Sequence, residues 1–340
     1  MTTDLATLTD EALLRQCLEP VVAALPGGRA RIAAISSRRF DLATSYDART
    51  VTVELGGGET LPVFLKDYAV TVRPKDAPQR RREREVSVYR ELLVTGETEL
   101  GTARYYGSVL DEPDGRRWLL LELVDGTPVG YLDIATWWAP ATAALGRLHG
   151  YFAGRAERLA ACDFLVHHTP EFFWSKVELA SRCVSQLAPQ LGDSLARITS
   201  RYAPIVQVMS DQPRTLIHGG CRSTNILVRV ASQPSRACII DWEEAAYGAP
   251  LYDLAYLLDG IEPPLLDPLL EAYRRAAADY GLPLPSPRDA AHATDCFRLH
   301  MTLTMLGQAV LKRYTPDGVA KLLTIGNRLS DALAGRRAAR

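Results

Sequence analysis

Leu216-Ile217-His218-Gly219-Gly220-Cys221-Arg222-Ser223-Thr224-Asn225-Ile226-Leu227-Val228 holds the densest run of polar chemistry in this chain, and Ile239-Ile240-Asp241-Trp242-Glu243 follows it after a short gap. A strand, a polar loop ending in Asn, a second strand and then an Asp at a strand end can converge two oxygen ligands on one hard cation. Mg²⁺ prefers carboxylate, carbonyl and phosphate oxygens, so Asn225 and Asp241 are candidate metal ligands. Either residue alone reads equally well as an ordinary turn residue. The pair, in this order, is what points to a metal.

Working outward, the sequence changes texture on either side. Residues 9–25 carry apolar side chains at helical spacing, from Ala12 to Leu25, and Pro26-Gly27-Gly28 stops the pattern. Strand-like stretches follow at 30–40, 50–55 and 61–68, with the last two joined by a turn containing Gly56-Gly57-Gly58. A charged stretch, 73–84, leads into helical spacing at 85–93, and two more strand-like pieces, 103–110 and 118–123, flank a turn at 111–115. From 133 onward the text is helical: 134–152, 170–191, 193–209, 264–280, 287–312 and 317–333. The strand segments around the quoted stretch interrupt it. The expected class is α+β, with an N-terminal cap helix at 1–28, a small β part at 29–124 and a helical part at 125–340.

Composition narrows the function. The 340 residues carry 39 Lys+Arg against 40 Asp+Glu and are 47% hydrophobic, which excludes disorder as the main state and offers no bulk field for nucleic acid or an anionic membrane. No nucleic-acid or membrane partner is expected. The six cysteines are scattered without a Cys-x-x-Cys spacing, so neither a zinc site nor a redox pair is expected. The N-terminus opens polar and acidic, and no apolar run is long enough to span a bilayer. A reducing, cytoplasmic setting is the expectation. Only five of the 39 basic side chains are lysine, which makes each lysine a marked choice.

With that order of elements, the quoted segments resemble the aminoglycoside phosphotransferase and choline kinase family, the small-molecule branch of the protein-kinase-like fold, over roughly residues 30–258. Its pattern is His-Gly-Asp, four residues, Asn, then an Ile-Asp-Trp/Phe-Glu strand end and a Gly-x-Pro-x-x-Asp-Leu-Ala segment. That last segment stands here as Gly248-Ala249-Pro250-Leu251-Tyr252-Asp253-Leu254-Ala255. The resemblance implies a two-lobed fold, with ATP and Mg²⁺ as cofactors and a small-molecule or peptide Ser/Thr hydroxyl as acceptor. It implies that Asn225 and Asp241 hold Mg²⁺ and that Asp253 braces the loop. His218 would then be structural, and His149 a core residue. Lys66, near the end of a hairpin strand, would contact the nucleotide phosphates and pair with Glu85. Backbone groups of Glu122 and Val124 would meet the adenine, and the loop 43–49, with Ser45 and Thr44, would lie over the phosphates without any glycine. His167, His168 and the cluster Phe172-Phe173-Trp174 either line the acceptor site or form an aromatic stripe packed inward.

The pattern breaks at Gly220, where the family carries its catalytic Asp. The stretch 218–225 contains no carboxylate at all. One account keeps phosphoryl transfer, because a general base contributes only about 10²–10⁴-fold, with Glu243 or an acceptor-borne group standing in and Cys221 a poor candidate. A second is a pseudokinase, a binding module within a biosynthetic complex and its partner protein. A third is an Asp-to-Gly change introduced to trap a complex. An acceptor from a natural-product pathway fits the first account.

Overall fold

The protein is described from a computed structural model covering residues 5–26, 30–41, 45–73, 75–94, 100–110, 115–231, 236–262 and 264–338. Several expected features lie outside these residues: the Gly27-Gly28 helix stop, Ala43 and Thr44, and most of the turn at 111–115. The chain divides into two compact units, residues 1–126 with 238–240, and residues 127–237 with 241–340. Among the described residues no helix is long and apolar enough to cross a membrane.

In the first unit, helix α1 (Leu5–Ala23) precedes β1 (Ile32–Arg39), β2 (Tyr46–Leu55), β3 (Thr60–Thr71), helix α2 (Pro78–Ser87), β4 (Tyr105–Val109) and β5 (Trp118–Glu122). The five strands form one antiparallel sheet in the order β1-β2-β3-β5-β4. Alternation drives it: Val51, Val53 and Leu55 of β2 and Val63 and Leu65 of β3 point to one buried face. Leu14, Leu18 and Val22 recur at i, i+4 on α1 and close that core. Leu18 is fully buried, a burial worth about 2 kcal/mol.

Helix α2 begins seven residues before Glu85, because Pro78 supplies the backbone angle of a first helical turn at no hydrogen-bond cost. It continues as a π-helical turn over Val88–Leu93. The charged stretch is not wholly exposed. Arg81 is buried and pairs with Asp76.

In the second unit, β6 (Thr127–Pro128) leads to helix α3 (Ile134–Ala153), whose N-cap Asp133 accepts from the Thr136 N–H at 3.0 Å. Gly146 and Gly150 let α3 meet α9 (Leu266–Ala278) closely, since a Cβ on Gly146 would stand 2.4 Å from the Tyr273 carbonyl. Between them come α4 (Ala156–Ala160), β7 (Val166–His167), α5 (Pro170–Leu187), α6 (Gly192–Thr199), α7 (Ala203–Ser210), β8 (Thr215–Ile217), β9 (Ile226–Arg229), β10 (Arg236–Ile239, whose last two residues are counted with the first unit), β11 (Ala246–Gly248) and α8 (Pro250–Leu257). Helices α10 (Pro287–Gly307) and α11 (Pro316–Ala338) complete the unit. The expected helix at 193–209 is two helices, because Pro204 cannot donate its backbone and starts a new first turn. The helix from Pro170 stops at Leu187 for the same reason at Pro189.

Two small sheets anchor the quoted stretch. β8 pairs with β11, and β9 pairs with β6. The strands on either side of the loop thus belong to different sheets, and residues 218–225 are strung between two fixed ends.

Candidate active site

In the first unit, Lys66 and Tyr68 lie two apart on β3 and so share a face of the sheet. The Lys66 Nζ donates to Glu85 Oε2 at 2.6 Å, and the Tyr68 hydroxyl donates to the same oxygen at 2.8 Å. Lys66 is 8% exposed and Glu85 1%, so water screens this pair little. The ammonium also sits 5.4 Å from the ring centroids of both Tyr46 and Tyr68. Glu85 thus fixes where a compact positive charge stands, and that charge can meet an anion such as phosphate. Tyr68 was not singled out from sequence, although the period of two along β3 marks it.

The adenine and phosphate-loop expectations fare less simply. Tyr46–Arg49 belong to β2 rather than to a loop, because β2 pairs with β3 back to Tyr46. The Ser45 carbonyl accepts from the Val72 N–H at 2.9 Å, which ties it to the end of β3. The Glu122 N–H donates to the Arg104 carbonyl at 2.9 Å, and Val124 is half-buried just beyond the end of β5.

The loop of the second unit is framed by one buried carboxylate. Asp253 Oδ2 accepts from the His218 N–H at 2.6 Å and Oδ1 from the Gly219 N–H at 2.9 Å. His149 Nε2 lies 3.2 Å from Oδ2, its other ring nitrogen lies 2.9 Å from the Tyr273 hydroxyl, and its carbonyl accepts from Thr215 Oγ1. His149 and Asp253 are fully buried, so these bonds are made without competition from water. The His218 ring packs against the fully buried Trp242, and its Nδ1 accepts from the Gly220 N–H at 3.3 Å. Asp253 therefore sets the loop and His218 keeps it folded.

Gly219 and Gly220 differ sharply. Gly219 has φ +75°, and a Cβ there would stand 2.0 Å from the Glu244 carbonyl oxygen, so only glycine fits. At Gly220 a Cβ would meet nothing nearer than Glu244 Cγ at 3.4 Å. At this position the surroundings leave ordinary contact room for a Cβ. Cys221 is fully buried, and that burial pushes its thiol well above the ordinary range, which removes it as a proton acceptor at neutral pH.

Asn225 closes the loop by donating from Nδ2 to the Gly220 carbonyl at 3.2 Å. Its amide nitrogen thus faces the protein, which orients the amide oxygen away from that bond. Asp241 follows β10 with φ 67°, a left-handed conformation that a non-glycine residue adopts at a cost of roughly 1–3 kcal/mol. An amide oxygen and a carboxylate are each hard oxygen donors of the kind Mg²⁺ takes and softer metals do not favour.

Away from the loop, the aromatic cluster packs inward. The His168 ring stacks on Phe172 at 4.2 Å, Phe173 is buried, and His300 Nδ1 lies 2.7 Å from the Tyr202 hydroxyl. Burial, with help from Lys176, lowers the His300 pKa to about 3, and burial likewise holds His168 neutral. Trp174 stays 36% exposed, and His167 lies 3.1 Å from the Cys162 carbonyl.

This loop frame and lysine pair accompany a sequence match to the family described as "Phosphotransferase enzyme family", over residues 42–289, more than half of the chain. The chain belongs to that family. No curated protein sequence matches this phosphotransferase family member. Its fold resembles the choline kinase of Cryptosporidium parvum Iowa II (13% identity, TM-score 0.62, 97% of each chain covered). It also resembles the ethanolamine kinase of Plasmodium vivax (12%, 0.53, 86% of this chain and 82% of that one) and the GDP and kanamycin complex of APH(2″)-IIIa (17%, 0.51, 93% and 98%). At these identities the likeness establishes a kinase-like α+β fold, an antiparallel β lobe with a larger helical one. The expected class and family are both met.

Proposed function

We propose that the protein is an ATP- and Mg²⁺-dependent phosphotransferase that phosphorylates a hydroxyl of a small molecule or of a peptide Ser or Thr, in a natural-product setting and in the cytoplasm. The observation that carries this reading is the buried Lys66–Glu85 contact at 2.6 Å, which holds a cation at a defined place on the sheet. Family membership supports phosphoryl transfer as the chemistry such a cation would serve, and the six cysteines, which form no disulfide, suit a reducing compartment.

In this reading Lys66 contacts the nucleotide phosphates, and the Ser45 region lies beside them. The Glu122 carbonyl and Val124 N–H hold the adenine. Asn225 and Asp241 are the Mg²⁺ ligands, and the ion, when bound, neutralises charge on the transferring phosphoryl group. Asp253, through the N–H groups of His218 and Gly219, keeps Gly220 and Asn225 in register with the acceptor hydroxyl.

A second reading has its own observation in Gly220: a non-catalytic, nucleotide-binding member that serves a partner protein. Calorimetric titration of ATP with and without Mg²⁺, on this chain and on Asp241→Ala, tests the nucleotide site. The expected result is Mg²⁺-dependent binding that the substitution weakens at least tenfold, with GTP as the parallel titrant. Failure of the unsubstituted chain to bind either nucleotide would sink both readings. Binding without any turnover across hydroxyl acceptors would favour the second.

A further inference from the structure

We propose that Glu244 supplies the carboxylate that Gly220 lacks, receiving the proton of the acceptor hydroxyl. The inference rests on the phosphotransferase reading above and names the acid that would serve it.

The geometry starts from the empty face of Gly220. A Cβ built there would have three nearest neighbours: Glu244 Cγ at 3.4 Å, Glu244 Cβ at 3.7 Å and His218 Nδ1 at 3.9 Å. The stem of the Glu244 side chain therefore runs over the spot from which an aspartate at 220 would project. The Glu244 carboxyl carbon is one bond beyond Cγ, so it lies at most about 5 Å from that spot. An aspartate's carboxyl carbon would itself lie one bond from it. A glutamate reaching from outside the loop thus delivers its charge to the same neighbourhood as an aspartate growing from within.

His218 Nδ1 accepts from the Gly220 N–H, both Asp253 oxygens accept from loop N–H groups, and Cys221 is buried with its thiol pushed up. Glu243 is 8% exposed, whereas Glu244 is half-buried and so accessible to an acceptor. The Glu244 backbone is held as well, because its carbonyl packs on Gly219 at a distance no Cβ would permit. That contact fixes the point from which the side chain starts.

Smallness at 220 follows. An aspartate there would bring a second carboxylate beside Glu244, and like charges so close oppose each other's ionisation. The step balances as in any phosphoryl transfer. The acceptor oxygen forms a bond to the γ-phosphorus of a nucleoside triphosphate, the bond from that phosphorus to the β,γ-bridging oxygen breaks, the nucleoside diphosphate leaves, and the hydroxyl proton passes to Glu244.

The test uses water as the probe acceptor and reads ADP release from ATP and Mg²⁺ by the full chain. Glu244→Gln is expected to lower release about 10²-fold, to leave the ATP dissociation constant within twofold, and to melt as the parent does. Gly220→Asp placed in the Glu244→Gln background is expected to recover at least tenfold of the loss. If Glu244→Gln does not fold, Glu244→Asp, with its shorter reach, replaces it and is expected to fall at least tenfold.

Unchanged release in the folded Glu244 variant would overturn the proposal, and so would a gain of 10² or more on Gly220→Asp alone, which would mean that no acid was in place. A parent chain that binds ATP yet releases no ADP would overturn it together with the phosphotransferase reading, in favour of the non-catalytic one. Those outcomes leave the nucleotide site intact. Absence of ATP binding in the parent is the different failure, that of the phosphotransferase reading itself.

Discussion

The two units bury their polar groups in opposite ways. The first pairs full charges, Lys66 with Glu85, and flanks them with the rings of Tyr46 and Tyr68. The second holds all six histidines of the chain, buries four of them, and spends its central carboxylate, Asp253, on backbone N–H groups rather than on a cation. A charge pair positions a charge that remains usable by a ligand. A carboxylate consumed by backbone donors positions a loop. The difference separates a residue that holds out a charge from one that shapes a loop.

The largest expected effect breaks the second arrangement. Asp253→Ala strands a buried N–H donor, a half-buried one and a buried histidine, and should cost roughly 5 kcal/mol in denaturant unfolding, with Asp253→Asn losing about half as much. Acid is the next lever. His300 is held neutral, so the unfolded chain binds a proton below pH 6.5 that the folded one refuses until about pH 3. Stability from this group is complete above pH 6.5 and is lost as pH falls through that window, on the order of 4 kcal/mol by pH 3. Melting curves at pH 7, 5 and 4 should show the loss in helical signal, and His300→Gln should flatten the slope by about one proton.

Lys66→Met tests the first arrangement. It leaves Glu85 buried without its cation and should cost about 3 kcal/mol, most of it recovered in the double variant with Glu85→Gln, as a double-mutant cycle would record. Weakened ATP binding should persist in that double variant, which separates packing from function. The smallest contrast is within the loop. Gly219→Ala should destabilise by about 2 kcal/mol through its left-handed backbone and the Glu244 carbonyl, whereas Gly220→Ala should stay within ~0.5 kcal/mol, both read from melting curves.

Much of this was legible in the chain itself. Period-two alternation in β2 and β3 placed the hairpin, the spacing from His218 to Asn225 and Asp241 carried the family, and a scarce lysine at a strand end was worth noticing. Boundaries were less legible where proline acted: Pro78 started a helix early, and Pro189 and Pro204 divided helices whose apolar spacing ran through them. The aromatic stripe at 172–174 was ambiguous in sequence because core and ligand pockets favour the same side chains. Burial of Phe173 and the stacking of His168 on Phe172 account for most of it as packing.

Local order along the chain, then, was sufficient for the class of fold and the family, since periodicity and spacing are properties of neighbouring residues. Contacts between distant segments were not. That Asp253 ties off residues 218 and 219, that His149 is spent on Asp253, and that Glu244 rather than Glu243 covers Gly220 depend on how β8, β11 and α8 pack. In an irregular turn, adjacent side chains have no fixed period to tell them apart, so only the folded chain distinguishes one glutamate from the next.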